Sequence, residues 1–335
     1  MNHIIPIIPE DKNYWLIRTQ SGKYYVEYRR KGFIAINWNK ITLDDIKSLS
    51  SEDLAIKVKE EYPDKQRPGG TANQLRIFKD IIKKGDTVVI TGVNSNKFSI
   101  GEVIEDECFE ENITKEMLDA NSRVCPYKKR KRVRWIKEVH KWDVEMPMFK
   151  LLQHAQHTIS DANEYKDVIE SMIHDFYIRG NYAQLSLKVK KEENIPMSSF
   201  FALGKEILEL AEEYLDYSLD ANFDLDSIET QINVNSPGKI KLKGPMTAIL
   251  ILGLLIVGAT GGGISVRPPT NDSPLSVEIK TGSVITQVND FLNERQARKQ
   301  KEMIMEKYMD ELEVETPDEL TKLMQAVETK KTNNN

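Results

Sequence analysis

The stretch that decides the fold of the first half of the chain is NQLRIFKDIIKKGDTVVITGVNSNKFSIGEV, residues Asn73 to Val103. Apolar residues recur at helical spacing between Leu75 and Ile82, which predicts a helix over about residues 71–84. Gly85 stands where that helix would stop. The β-branched runs DTVVITGV and FSIGEV follow and predict two strands. A helix that leads into paired strands indicates an α+β domain.

The sequence on either side of this stretch is also rich in predicted strands. The runs YWLIRT, KYYVEY and FIAINW are short, contain aromatic and β-branched residues, and are separated by Gly, Asn, Asp and Ser. All four tryptophans lie in the first 142 residues. We expect residues 1–143 to form a small, partly open β-barrel with one or two inserted helices.

The order of these phrases carries a resemblance. WLIR at Trp15, FIAINW at Phe33–Trp38, the stretch 73–103 and RVRW at Arg132–Trp135 occur in sequence. They resemble the EVE/PUA-like modules attached to Mrr-type restriction endonucleases and other bacterial defence proteins. The resemblance implies a β-barrel that binds nucleic acid or a modified base. Asn37 departs from it, because the family has glycine before the second tryptophan.

Four residues are candidates for a ligand pocket in this module. Trp15, Trp38 and Trp135 offer aromatic faces, and stacking one base on such a face is worth roughly 1–3 kcal/mol. Gly101 lies in the middle of a predicted strand, where a ligand or another backbone can approach closely. The alternative is that the tryptophans fill the core of the barrel. Alternation along the strand puts Trp38 on the same face as Ile36.

A basic run is the strongest electrostatic feature of a chain whose net charge is −5. Eight cations fall within fourteen positions of PYKKRKRVRWIKEVHKW. Clusters of this kind neutralise phosphates. The alternative is a solvated loop that enters an edge strand. The predicted phosphate-binding residues are Lys128, Lys129, Arg130, Lys131, Arg132 and Arg134.

The remainder of the chain divides into two further regions. Residues 144–230 are predicted to be mainly helical, and 231–335 to form a C-terminal module. Its segment 246–266 has no charged residue and is long enough to span a bilayer. Lysines precede the segment, and basic residues beside a span favour the cytoplasmic side. A single-pass inner-membrane helix here would therefore leave the N-terminal domain in the cytoplasm. The alternative is a buried core helix, since only residues 246–259 are densely apolar.

The end of the chain is predicted to contain a long helix over about residues 283–312. Its apolar stripe and its charges of both signs suggest packing against copies of itself, and hence a homo-oligomer. Asn235–Gly238, which reads Asn-Ser-Pro-Gly, resembles a segment near the ends of uncharacterised bacterial proteins. That resemblance names no activity.

The sequence contains no complete catalytic constellation. It lacks a phosphate-binding Gly-Lys loop, a serine elbow and a His-Glu-x-x-His pair. The two cysteines form no metal-binding pair, and we predict no metal and no cofactor. Glu278 and Lys280 form the closing half of a PD-(D/E)xK nuclease motif, but Asp272 is too close to lie on a neighbouring strand.

These observations together favour a non-catalytic sensor of bacterial anti-phage defence. We expect its N-terminal domain to recognise nucleic acid or a modified nucleotide, and its C-terminal module to anchor it in a membrane or to oligomerise. Two alternatives remain at this point. The chain is a subunit of a restriction-type endonuclease that uses Glu278 and Lys280, or a structural assembly protein without a ligand.

Overall fold

The computed structural model describes residues 5–218, 223–233, 238–260, 275–293 and 296–324. The chain divides into two compact units. We call Asp11–Ile173 the N-terminal unit, and His174 onward, together with residues 1–10, the C-terminal unit. The boundary predicted at residue 143 therefore lies inside the N-terminal unit.

The N-terminal unit contains seven strands and seven α-helices among its residues. The strands are β1 (Tyr14–Ile17), β2 (Phe33–Ile36), β3 (Thr87–Thr91), β4 (Lys97–Val103), β5 (Phe109–Glu110), β6 (Lys129–His140) and β7 (Ile159–Asp161). The helices are α1 (Tyr25–Lys31), α2 (Leu43–Ser48), α3 (Ser51–Glu61), α4 (Pro68–Arg76), α5 (Lys115–Ala120), α6 (Met146–His154) and α7 (Lys166–Ile173).

The seven strands form one curled, half-barrel sheet. Its order is β2-β6-β4-β3-β1-β7, and β5 also pairs with β6. Strands β1 and β3 are parallel, and the other pairs are antiparallel. The α+β class and the sheet-rich first half agree with the prediction.

Both faces of this sheet are covered. Alternation along β1 sends Trp15 and Ile17 into one hydrophobic cluster and Tyr14 and Leu16 into another. The first cluster includes residues of α1, α3 and α4, and the second includes residues of α6 and α7. The second face needs α6 and α7 as a cover, which explains why the unit continues to Ile173.

The predicted helix over 71–84 is present, as α4 followed by a π-helical turn, Ile77–Ile81. The interpretation of KYYVEY as a strand is wrong, because Tyr25–Tyr28 of this segment lie in α1 and the two residues before them form a turn. Tyr25 and Tyr28 lie on the buried side of that helix, and Gly32 ends it with a φ of +66°. Aromatic and β-branched residues favour strands in general, but burial at helical spacing decides here.

The C-terminal unit also combines strands and helices. Its strands are β8 (Phe176–Arg179), β9 (Tyr182–Val189), β10 (Glu229–Asn233), β11 (Gly238–Pro245) and β12 (Val314–Glu315). Its helices are α8 (Met197–Tyr217), α9 (Met246–Ala259), α10 (Leu275–Asn293) and α11 (Gln296–Glu311). The sheet order is β10-β11-β9-β12, with β8 also on β9. The mainly helical middle region that we predicted therefore contains strands from both units.

Helix α9 is the apolar segment that was predicted either to span a membrane or to be buried. It has 14 residues, and its positions 248–257 are all buried. A helix of that length is about 21 Å long, shorter than the ~30 Å hydrocarbon core. In the described part of the chain, no helix combines the length and the apolarity that a membrane span requires. Of the two alternatives, the burial of positions 248–257 supports the buried helix, and residues 261–266 of the segment lie outside the described residues.

The predicted long terminal helix corresponds to α10 and α11. Val288 and Phe291 of its apolar stripe are buried in the same hydrophobic cluster as α9, and Val284 and Leu292 pack against it. The stripe that was expected to contact another copy therefore packs within the chain's own unit. Residues 234–237, Asp272 and the last eleven residues lie outside the described residues.

Candidate nucleic-acid interface

An open pocket lies beside α1 in the N-terminal unit. Its volume is about 610 Å³. The turn before α1, the hairpin between β3 and β4, and the distal part of β6 surround it. The residues that line it are Gly22, Tyr25, Val26, Arg29, Arg30, Gly92, Val93, Asn96, Lys97 and Glu138.

The turn before α1 is built from left-handed residues. Gln20, Ser21 and Gly22 have φ values of +54°, +52° and +88°. A Cβ atom on Gly22 would lie 2.2 Å from the main-chain nitrogen of Val93, so only glycine fits against the hairpin. Non-glycine residues with positive φ are uncommon, and they concentrate at functional sites.

The hairpin that faces this turn is similarly constrained. Asn94 and Ser95 have φ values of +54° and +50°. The hydroxyl of Thr19 donates a 2.6 Å hydrogen bond to the main-chain oxygen of Thr91, which ties the hairpin to the turn. This hydrogen bond and the close approach of Gly22 to Val93 connect the two walls of the pocket.

A network of hydrogen bonds forms the polar wall of the pocket. The hydroxyl of buried Tyr25 donates to Glu138 over 2.9 Å and contacts the hydroxyl of Ser99 at 2.5 Å. Lys97 donates to Glu138 over 2.8 Å, and Arg29 forms an ion pair with the same carboxylate. Burial together with the Glu138 hydrogen bond raises the pKa of Tyr25 to about 12 despite the bond from Ser99. Burial opposes ionisation of Glu138, but Lys97, Tyr25 and Arg29 outweigh it and lower its pKa.

The rim of the pocket is exposed and positively charged. Arg30 is exposed, and it has no ion pair within the described residues. Three cations and one carboxylate line the pocket, which gives a net charge of plus two. Val26 and Val93 are 69% and 54% exposed, so they offer apolar surface beside these charges. Cations next to apolar side chains can contact an anionic group and an apolar surface of the same ligand.

The tryptophans predicted to form a ligand cage lie elsewhere. Trp15 is buried, and its indole nitrogen donates a 2.9 Å hydrogen bond to Asp86. Asp86 also accepts a bond from the main-chain nitrogen of Lys83, so the pair fixes the turn at Gly85. Trp38 is 9% exposed and belongs to the same hydrophobic cluster. Of the two interpretations, the core is the one that burial supports for both residues.

Gly101 lies directly against the side chain of Trp135. A Cβ atom on Gly101 would lie 2.6 Å from Cε3 of Trp135 and 2.6 Å from Cγ1 of Val133. The Trp135 ring is half-buried, and its nitrogen donates to the main-chain oxygen of Tyr28 over 2.9 Å. The close approach that we predicted at Gly101 is therefore made by a side chain of β6. Neither residue lines the described pocket.

The predicted phosphate patch is divided by the fold. Lys129, Arg130 and Lys131 are buried. Lys129 donates to the main-chain oxygen of Trp38 over 2.8 Å, and Lys131 donates to that of Asp106 over 2.5 Å. Arg130 donates to the main-chain oxygen of Tyr127 over 3.1 Å. These three cations hold loops within the unit instead of facing solvent.

The remaining three predicted phosphate ligands are exposed. Arg132 pairs with Glu105 at 3.7 Å, and Arg134 pairs with Glu102 at 3.3 Å. Residue 136 is an extra residue in β6 opposite the Ile100–Gly101 step, so the strand changes face there. Arg132 and Arg134 consequently lie on the sheet face opposite to that of Glu138. Lys128 is exposed just before β6.

The alternative nuclease site is not supported by the backbone. Glu278 and Lys280 lie within helix α10, whereas the motif requires an acid-x-Lys sequence on a strand. The described residues contain no cluster of three or more His, Cys, Asp or Glu that could hold a metal ion.

The sequence carries signals for the pocket that the strand prediction concealed. Gln20-Ser21-Gly22 precedes α1, and Val93-Asn94-Ser95-Asn96 connects β3 to β4; both are turn-forming runs. Arg29 and Arg30 follow Tyr25 and Tyr28, the two buried tyrosines of α1. Predicting KYYVEY to be a strand hid this helix, which lines the pocket with Tyr25, Val26, Arg29 and Arg30.

One comparison with known proteins falls on this unit. A family model described as a domain of unknown function, DUF8426, matches residues 14–161. A solved structure, the YTH domain of the Zygosaccharomyces rouxii MRB1 protein in complex with N6-methyladenosine RNA, is 12% identical. It covers 49% of this chain and 86% of that chain, with a TM-score of 0.26. No curated protein matches the chain. The resemblance to EVE modules of Mrr-type enzymes stays a prediction.

Proposed function

We propose that the N-terminal unit is a non-catalytic module that binds nucleic acid or a modified nucleotide in the pocket beside α1. The observation that carries this proposal is the combination of the exposed guanidinium of Arg30 with exposed Val26 and Val93 around a preformed polar wall. Arg30 and Lys97 would contact phosphate. The apolar side chains would contact the face of a base.

The polar wall adds a means of selecting the base. Glu138 can accept a hydrogen bond only, whereas the Asn96 side chain can both donate and accept. Lys97, Tyr25 and Arg29 already occupy three of the roughly four acceptor sites of Glu138, so one site is left for an amino group on a base edge. A site built to hydrogen-bond such a group discriminates against analogues without it. This arrangement supports recognition of a base, beyond attraction of phosphate alone.

Charge placement on α1 provides the sharpest test. Val26→Glu adds a negative charge at the pocket rim, and glutamate is a good helix former, so α1 should persist. Ile56→Glu on α3 is the matched control, because Ile56 is 56% exposed and lies outside the pocket lining. We expect Val26→Glu to weaken binding of labelled oligonucleotides in fluorescence polarisation, and Ile56→Glu to leave it unchanged.

A second pair of variants measures the interaction with phosphate. Arg30→Ala should reduce the salt dependence of binding by about 0.7 in the log–log slope for each single-strand phosphate that is no longer neutralised. Lys115→Ala removes an exposed charge from α5 as the control. Equal affinity and equal slope in Val26→Glu, Arg30→Ala and the unmodified chain would overturn the proposal.

The resemblance to restriction-associated modules supports a cellular role. We propose that the module recognises foreign nucleic acid during bacterial anti-phage defence. Cells that express the unmodified protein should give fewer phage plaques than cells that express Val26→Glu. Equal plaque numbers, with binding lost in vitro, would remove the defence role and leave the binding role intact.

A further inference from the structure

Trp142 is the most exposed tryptophan of the chain. It is 78% exposed and lies in a short 3-10 turn, Lys141–Asp143, directly after β6. Trp15 and Trp38 are buried, and Trp135 is half-buried. One exposed apolar residue is ordinary on a protein surface. Trp142 differs from such a residue because two neighbouring side chains contact its ring.

Two side chains are arranged on the Trp142 ring. The ring of His140 stacks on it with a centroid distance of 6.2 Å and an interplanar angle of 27°. The ammonium group of Lys141 lies 4.4 Å from the centroid of the Trp142 ring. Most of the indole surface still faces water. Aromatic rings combined with cations are the chemistry by which proteins hold single-stranded nucleic acid.

This aromatic cluster continues directly from the pocket. His140 is the register partner of Lys97, and the main-chain nitrogen of Lys141 donates a 3.0 Å hydrogen bond to the oxygen of Asn96. Glu138 and His140 are two residues apart on one strand and therefore share a face. That spacing corresponds to about 7 Å along the strand. The cluster thus begins where the pocket lining ends.

We infer that His140, Lys141 and Trp142 form a second subsite, which stacks the base next to the nucleotide held in the pocket. The ligand is then a single strand, DNA or RNA, because paired bases do not offer a free face to an aromatic ring. The inference rests on the proposed function and deepens it by naming the strand state of the ligand. Lys141 would contact the phosphate between the two nucleotides.

Binding of ligands of different length tests the inference on the full chain. Trp142→Ala should weaken binding of single-stranded oligonucleotides by at least about fivefold, the lower end of what stacking one base contributes. Mononucleotide binding should stay unchanged, since a mononucleotide fills only the pocket. Trp142→Phe should restore most of the loss. Ile56→Ala is the control for removal of an exposed apolar side chain.

Tryptophan fluorescence gives an independent readout. Iodide should quench Trp142 most strongly, because Trp15 and Trp38 are buried and Trp135 is half-buried. A bound oligonucleotide should protect the chain from iodide, and Trp142→Ala should abolish that protection. Unchanged melting temperature in Trp142→Ala would show that the fold is intact, as its exposure predicts.

Four outcomes would overturn the inference: no loss on Trp142→Ala, an equal loss for the mononucleotide, no rescue by Trp142→Phe, or equal affinity for duplex and single strand. Measuring Arg30→Ala alongside Trp142→Ala distinguishes failure of this inference from failure of the proposed pocket. If Trp142→Ala weakens binding while Arg30→Ala and Val26→Glu do not, the proposed pocket is wrong and the stacking subsite stands. The reverse result removes the subsite alone. DNA and RNA strands compared side by side identify the nucleic acid.

Discussion

The Nζ atom of Lys129 lies 2.8 Å from the main-chain oxygen of Trp38 and donates a hydrogen bond to it. Trp38 has a φ of +65°, which is unusual for a bulky residue. The same ammonium group donates to the oxygen of Ile41 over 2.7 Å. Buried Lys129 therefore holds the left-handed turn that follows β2. A residue that was predicted to bind phosphate instead stabilises the loop of a residue that was predicted to bind a base.

This placement makes the stability of the protein depend on pH in a particular direction. Burial is the main reason why the pKa of Lys129 falls to about 8, although Glu110 and Asp45 partly oppose the fall. The unfolded chain keeps the ordinary value of 10.5. Between these values the unfolded state binds more protons, so stability rises with pH. The penalty of the buried charge is fully present below about pH 8 and is relieved by pH 10.5.

Comparison with Lys129→Met isolates this contribution. From neutral pH to pH 10.5, the unmodified protein should gain on the order of 3 kcal/mol in free energy of unfolding relative to the variant. Urea unfolding at a series of pH values measures the difference, and groups common to both proteins cancel. Lys115→Met, at an exposed lysine, should run parallel to the unmodified protein. Parallel curves for Lys129→Met would contradict a buried ammonium.

Trp38→Ala is expected to act on stability. The ring is 9% exposed within the hydrophobic cluster, so its removal leaves a cavity and should lower the free energy of unfolding by roughly 3–5 kcal/mol. Trp38→Phe should lose less. The fraction that remains folded should bind oligonucleotides with unchanged affinity, because Trp38 does not line the described pocket. A stable fold with lost binding would restore the ligand-cage interpretation.

Gly101→Ala tests the close approach between β4 and β6. The new methyl group would lie 2.6 Å from Trp135 and from Val133, so the strands or rings must shift. We expect a loss of about 1–3 kcal/mol in the free energy of unfolding. Gly69→Ala on α4 is the control, since a Cβ there meets nothing within 4 Å. A neutral Gly101→Ala would show that β6 has room at this position.

Strand alternation and turn residues made much of the N-terminal unit predictable. The run TVVIT and the phrase Lys83–Asp86 determine β3 and the turn before it, because β-branched residues and a glycine with positive φ leave few alternatives. Composition could not reveal that α6 and α7 complete the same unit. That depends on the second sheet face, which becomes visible only once β1, β3 and β4 are paired.

The candidate site was less predictable for a physical reason. A run of cations shows charge, but not which side of a strand each residue occupies. The extra residue in β6 separates Arg132 and Arg134 from Glu138, and burial of Lys129 is decided by carbonyl groups far away in sequence. In the sequence, Trp142 is one tryptophan among four. Its exposure and its contact with His140 distinguish it.

Gly253 tests the packing of α9, the helical part of the uncharged segment 246–266 that was predicted either to span a membrane or to be buried. A Cβ atom on Gly253 of α9 would lie 2.3 Å from Cδ1 of buried Leu320, in the helical residues 318–324 of the same unit. Gly253→Ala should therefore lower the free energy of unfolding by about 1–3 kcal/mol through overpacking, although alanine favours the helix itself.

In a Leu320→Ala background the same change should cost less, because the shortened side chain leaves space for the methyl group. A double-mutant cycle in urea measures the coupling, which should be at least about 0.5 kcal/mol for neighbouring residues. Gly204→Ala on α8 is the control, since its Cβ would meet nothing within 4 Å and should not couple to Leu320. Additive effects at Gly253 and Leu320 would contradict the close packing of α9 against residues 318–324.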